Sequence, residues 1–201
     1  MLRALACCGT LLVVTSQIAA AEWHLTPLIG LTFKGNTSLI DVESGTSKVH
    51  RHFGGSVALL GRGLFGVEGI FVYTPGFFQS DLFPESERLV TASRTMALMG
   101  NAVLTTPRRW TEYGLRPFVS GGLGLLRASA DYRERGLLPI TSNLLGFNIG
   151  GGAIGFFSQR TGVRFDLRYY ANVHQQQQGP IAFGGVHLSY MTASVGVVLR
   201  R

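Results

Sequence analysis

Cysteine is nearly missing from this chain. Its 201 residues include two, Cys7 and Cys8, and both precede residue 22. Beyond them no disulfide framework or cysteine metal site is possible. Long apolar runs are missing too. After the N-terminal segment no apolar stretch is long enough for a helix to cross a membrane. Charge is also scarce. Asp, Glu, Lys and Arg make up 14% of residues while hydrophobic types reach 46%, and soluble domains usually carry about a quarter charged residues. A chain this apolar without a spanning helix fits a membrane barrel, which crosses with weakly patterned strands. Acids are outnumbered, and the formal net charge is +7. The basic residues are scattered and the N-terminus marks the chain for export, which argues against a nucleic-acid partner.

The export signal occupies residues 1–21. Arg3 supplies the positive start and Leu11-Leu12-Val13-Val14 lies in the apolar region. Ala19-Ala20-Ala21 forms a small-residue cleavage site before Glu22. A lipoprotein signal modified at Cys7 or Cys8 does not fit, because both cysteines precede most of the apolar run. The remaining 22–201 is one domain.

The clearest stretch is Val163-Arg164-Phe165-Asp166-Leu167-Arg168-Tyr169. Apolar and charged residues alternate strictly, the period of a β-strand with two unlike faces. The same alternation predicts strands near 23–33, 53–59, 65–73, 91–104, 115–127, 143–157 and 187–199. Long connections at 34–50, 74–90, 128–142 and 171–186 alternate with short ones at 61–63, 105–114 and 158–162. The expected fold is all-β, an eight-stranded antiparallel transmembrane β-barrel with its long loops at one end. A soluble, lipocalin-like barrel is the rival, with apolar residues inside and polar residues outside. The polar faces here offer too few side chains to wet an outer surface. The apolar faces carry large side chains on nearly every strand. So the polar faces are expected inside and the apolar faces toward lipid. Trp23, Phe65, Trp110, Tyr113, Phe156 and Phe157 fall at the short-turn end, and Phe33, Phe53, Tyr73, Tyr169 and Tyr170 near the long-loop end. They are expected to form two aromatic belts.

Several runs carry a family resemblance. They are Leu25-Thr26-Pro27-Leu28-Ile29-Gly30, Gly66-Val67-Glu68-Gly69, Tyr73-Thr74-Pro75-Gly76-Phe77-Phe78, Met99-Gly100-Asn101, Leu115-Arg116-Pro117-Phe118, Gly146-Phe147-Asn148-Ile149-Gly150-Gly151-Gly152 and the 163–168 stretch. Together they resemble the small outer-membrane β-barrel domain proteins, relatives in fold of the OmpA and OmpX barrels. The resemblance spans nearly all of 22–201 and implies a bacterial outer-membrane location. It specifies architecture, whereas barrels of this shape serve as anchors, adhesins, enzymes and small pores. One departure is Arg201, which stands where such barrels end their last strand in an aromatic.

The candidate site is the lumen. Glu68 and Asp166 can pair there with Arg116, Arg164 and Arg168, since arginine forks match carboxylates in pairs. A structural plug is one reading, because buried charges persist only when paired. A switchable gate is the other. His187-Leu188-Ser189 resembles the His-x-Ser pair of outer-membrane lipid A deacylases, but Tyr190 replaces the following Asn and no acid follows the His. The glycines at 121–124 and 150–152 lack the spacing and helix of a phosphate loop. They are expected to make room for lumen arginines or to let strands bend. Gln175 to Gln178 reads as a solvated loop. No cofactor and no metal are expected. The expected partners are outer-membrane lipid and lipopolysaccharide around a monomer. Asp41, Glu43, Asp81, Glu85, Glu87, Asp131 and Glu134 fall in the long loops, and Arg62, Arg108, Arg109, Arg160, Arg200 and Arg201 at the other end. The functional expectation is a non-enzymatic structural or surface-interaction module. Its alternatives are a small gated pore and, further off, a lipid-modifying enzyme.

Overall fold

Alternation of side chains predicts strands, and pairing of backbones completes them. The computed structural model describes residues 22–37, 49–61, 63–77, 90–107, 114–132, 140–173 and 188–201. The strands are β1 (Glu22–Thr37), β2 (His50–Leu60), β3 (Phe65–Pro75), β4 (Val90–Thr105), β5 (Leu115–Tyr132), β6 (Ile140–Phe156), β7 (Thr161–Asn172) and β8 (Leu188–Arg200). Each pairs antiparallel with the next, and β1 closes the barrel on β8. Closure leaves no unpaired edge and lets strand N–H and C=O groups find partners between strands, as a lipid environment requires. At the seam Trp23 and Arg201 exchange backbone hydrogen bonds of 3.2 and 2.9 Å.

The two faces separate as the alternation predicts. Leu25, Ile29, Phe53, Val67, Phe71, Val119, Leu123, Ile149, Phe165 and Val195 are exposed on the outward wall. Glu68, Asn101, Arg116, Asn148, Arg164, Asp166 and Arg168 are buried inside. The glycine expectation also holds at Gly150, where a β carbon would sit 2.9 Å from that of Arg168.

Three expectations are corrected. The long and short connections do not alternate without exception. β5 runs on to Tyr132 and β6 begins at Ile140, so their link spans 133–139, shorter than 106–114 between β4 and β5. Apolar alternation fades after Arg127, but backbone pairing continues to Ala130 and Ile140. Tyr170 does not join an outward belt. It is buried in the lumen, stacked on Tyr190, because its neighbour Tyr169 takes the outward position. Phe156 packs inward beside His24, with ring centroids 5.5 Å apart. Trp110 and Tyr113 lie outside the described residues.

One local turn brings an unforeseen side chain inside. Gly76 follows Pro75 with φ at 71°, a left-handed conformation that glycine adopts without a Cβ penalty. Its N–H donates to the Ser93 carbonyl at 2.8 Å. The chain folds back there, and Phe77 ends buried in the lumen.

Candidate functional site

The lumen is filled in three layers. Nearest the short connections lie Ala58, Leu60, Val103, Phe118, Ile154 and Val198. A second apolar cluster reaches from mid-barrel toward the long connections, with Leu28, Ile70, Val72, Phe77, Met99, Leu126, Tyr170, Leu188 and Tyr190 among its members. Phe77 meets Tyr190 edge-on at 5.3 Å, and Tyr190 stacks on Tyr170 at 5.0 Å. Between these apolar layers lies the charge cluster.

Successive inward positions on β7 supply Arg164, Asp166 and Arg168, and β3 supplies Glu68. Arg168 grips Asp166 with two hydrogen bonds, Nε to Oδ1 at 3.1 Å and Nη2 to Oδ2 at 2.9 Å. The same Nη2 donates to Glu68 Oε2 at 3.1 Å. Arg164 donates to Glu68 and to Asp166, so each arginine holds both carboxylates. Its guanidinium also lies 4.4 Å from the Phe118 ring centroid and donates to Ser56 Oγ at 3.2 Å. Two cations and two anions thus balance within one buried layer. Such a cluster persists only because each charge is paired, and removing one member exposes the others to the full desolvation cost.

Two amides extend the layer. Asn101 sits opposite Glu68 across the β3–β4 ladder and donates to its Oε2 at 3.3 Å. Asn148 donates to Asn101 Oδ1 at 2.7 Å and accepts from Arg168 Nη1 at 3.2 Å. Both lie on the polar faces that the sequence marks, though alternation alone does not show that they join the cluster.

Arg116 is brought to the lumen but not to the cluster. Among the described residues it forms no ion pair with Glu68 or Asp166, and its Nη2 donates to the Thr106 carbonyl at 3.1 Å. It stands one turn end away, near the start of β5.

Sequence reading missed His52. Its Nε2 lies 2.9 Å from Ser194 Oγ and its Nδ1 3.1 Å from Thr32 Oγ1, which in turn lies 3.2 Å from Thr74 Oγ1. This polar string crosses from β3 to β8 beside the cluster. The signal was the spacing of His52 from Ser56 and Ala58, which share one face of β2. Ile70 and Val72 share the face of Glu68 in the same way, and they fill the lumen with apolar bulk. Ser189 is buried on β8, and His187 lies outside the described residues. Among the described residues no group of three His, Cys, Asp or Glu side chains could hold a metal.

No protein-family model and no curated protein matches the sequence. Solved structures do match in fold. Neisserial surface protein A is 13% identical, with a TM-score of 0.53 over 88% of this chain and 96% of its own. Ail, the attachment invasion locus protein of Yersinia pestis, is 14% identical, with a TM-score of 0.53 over 90% of this chain and 99% of its own. The outer membrane protein OprG from Pseudomonas aeruginosa is 10% identical, with a TM-score of 0.54 over 90% and 96%. With its closed antiparallel barrel and an overlap of 88–90% of its length with these proteins, the chain has the fold of the small, OmpA- and OmpX-like eight-stranded outer-membrane barrels.

Proposed function

We propose that the chain is a bacterial outer-membrane barrel that works without catalysis, as a structural or surface-interaction module with a closed lumen. Residues 1–21 act as a cleaved export signal on this reading, and the apolar wall is solvated by membrane lipid around a monomer. The carrying observation is the balanced cluster of Glu68, Arg164, Asp166 and Arg168 between two apolar layers. Ions crossing that section would have to displace paired charges and then wet two apolar zones, each unfavourable. A small gated pore is the second reading. It draws on Glu68, which receives hydrogen bonds from three side chains on two strands, β4 and β7, so an exchange of partners would rearrange the layer.

Planar-bilayer recording of the refolded chain separates the two. A closed module shows no steady conductance, and Glu68→Ala leaves it silent or produces only noise from loosened packing. Steady unitary currents in the unaltered chain, changed in size by Glu68→Ala, would replace the module with the pore.

A further inference from the structure

The outward wall carries a charged feature that the lumen does not use. Arg51 on β2, Arg94 on β4 and Arg127 on β5 all point outward and are exposed. Ladder register brings them close together. Met96 pairs with both Tyr73 and Arg127, and Arg94 pairs with Pro75 on one side and Ser129 on the other. Phe53 pairs with Tyr73, and that register carried two residues further sets Arg51 beside Pro75. Arg51 and Arg94 therefore lie two strand spacings apart, about 10 Å. Arg94 and Arg127 are diagonal neighbours at roughly 7 Å.

The setting of these arginines is specific. The wall toward mid-barrel is Phe53, Phe71, Leu98, Leu125 and Leu145, all exposed and apolar. None of the three arginines has an ion-pair partner among the residues whose side chains are described. The carboxylates whose side chains are described sit elsewhere, Glu68 and Asp166 in the lumen and Glu22 beside Arg200 at the opposite end. Along the same ladder row on β1, β8 and β7 stand Leu31, Ala193 and Leu167, with no cation among them. Three like charges this close repel one another unless an anion lies between them. Their place, at the upper border of an apolar wall, is where lipid headgroups begin.

We propose that Arg51, Arg94 and Arg127 form a phosphate-binding arc that seats lipopolysaccharide against the β2–β5 side of the barrel. This rests on the outer-membrane reading, which puts the long-connection end in the surface leaflet. Guanidinium forks suit phosphate oxygens, two bonds at a time. The arc is one-sided, so the bound lipid occupies one sector of the barrel's perimeter.

The test uses the full chain refolded in neutral nanodiscs, with labelled lipopolysaccharide added. Phosphate-stripped lipopolysaccharide and phosphatidylglycerol serve as the other ligands. The triple variant R51Q/R94Q/R127Q is compared with R160Q/R201Q, which removes two cations from the opposite end. At roughly fivefold per arginine near an anionic surface, the triple variant is expected to bind about 100-fold more weakly. Stripping the phosphates should cost the unaltered chain a similar factor, and R160Q/R201Q should bind as before. Equal binding by the triple variant, equal binding of phosphatidylglycerol, or an equal loss in R160Q/R201Q would each overturn the arc. An unaltered chain that fails to form a heat-modifiable barrel in neutral bilayers would defeat the outer-membrane reading itself, and the arc with it.

Discussion

His52 and Ser194 meet across β1, ring nitrogen Nε2 to hydroxyl Oγ at 2.9 Å, and the residue they pass over is Gly30. Gly30 pairs with His52 on one side and Ser194 on the other. A β carbon at Gly30 would sit 2.8 Å from His52 Nε2 and press on the Ala193 carbonyl oxygen. Gly30→Ala is therefore expected to destabilise the barrel by about 1–3 kcal/mol, as overpacking does. Gly69→Ala is the control, since a β carbon there meets nothing within 4 Å. Urea unfolding of both variants in lipid vesicles checks the contrast. Equal midpoints would show that β1 yields to the extra methyl.

The charge cluster predicts an asymmetry between losing one charge and losing two. Asp166→Ala leaves Arg164 and Arg168 sharing Glu68 alone, and is expected to cost about 3–5 kcal/mol. Arg164→Lys keeps a charge and should cost less. Glu68→Ala combined with Arg164→Ala should cost less than the sum of the two single changes, by about 0.5–3 kcal/mol of coupling. The readout is the temperature at which the folded band shifts on an unboiled gel. An Asp166→Ala band that shifts at the unaltered temperature would strip the cluster of its structural role.

Adjacent residues of β5 should answer differently to the same substitution. Val119 is 56% exposed and Ser120 5%. Val119→Arg places a charge in lipid and should cost roughly 2–4 kcal/mol near mid-bilayer. Ser120→Arg instead adds volume and a cation to a filled lumen. Spin labels at 119 and 120 read the faces directly, through quenching by a lipid-soluble or a water-soluble agent. Water contact at 119 with lipid contact at 120 would turn the barrel inside out.

Tyr170 predicts a gain. Its hydroxyl is buried and has no hydrogen-bond partner among the described residues. A buried, unpaired hydroxyl costs free energy, and Phe keeps the ring stacked on Tyr190. Tyr170→Phe should raise stability by about 1 kcal/mol. A lowered unfolding midpoint would mean that the hydroxyl is paired in solution.

How much of this was legible in the sequence depends on what alternation can carry. Strict alternation at 163–169 fixed the faces of β7, and Arg164, Asp166 and Arg168 lie where it put them. It fixes a face and leaves height along the barrel open, because height comes from register between strands. That is why Arg116, on the correct face, stands apart from the cluster it was expected to join. Neighbouring aromatics pose a similar limit. Tyr169 and Tyr170 look alike in composition, and only strand phase sends one outward and the other onto Tyr190. Phe77 was not legible at all, since its burial follows from the turn at Gly76 and not from any strand period.

The length of β5 and β6 has a mechanical consequence. β5 has 18 residues and β6 has 17. At about 3.4 Å per residue and a tilt near 40°, a strand of that length spans roughly 45 Å along the barrel axis, against an apolar band of about 25 Å. The β2 and β3 strands have 11 each. The rim is therefore uneven, and on one side a paired ribbon stands clear of the bilayer like a spur. A ribbon whose backbone is already hydrogen-bonded has little conformational freedom left to lose when something docks on it. If that end faces outward, as the proposed outer-membrane reading has it, molecules approaching the cell would meet a stiff, preorganised edge there.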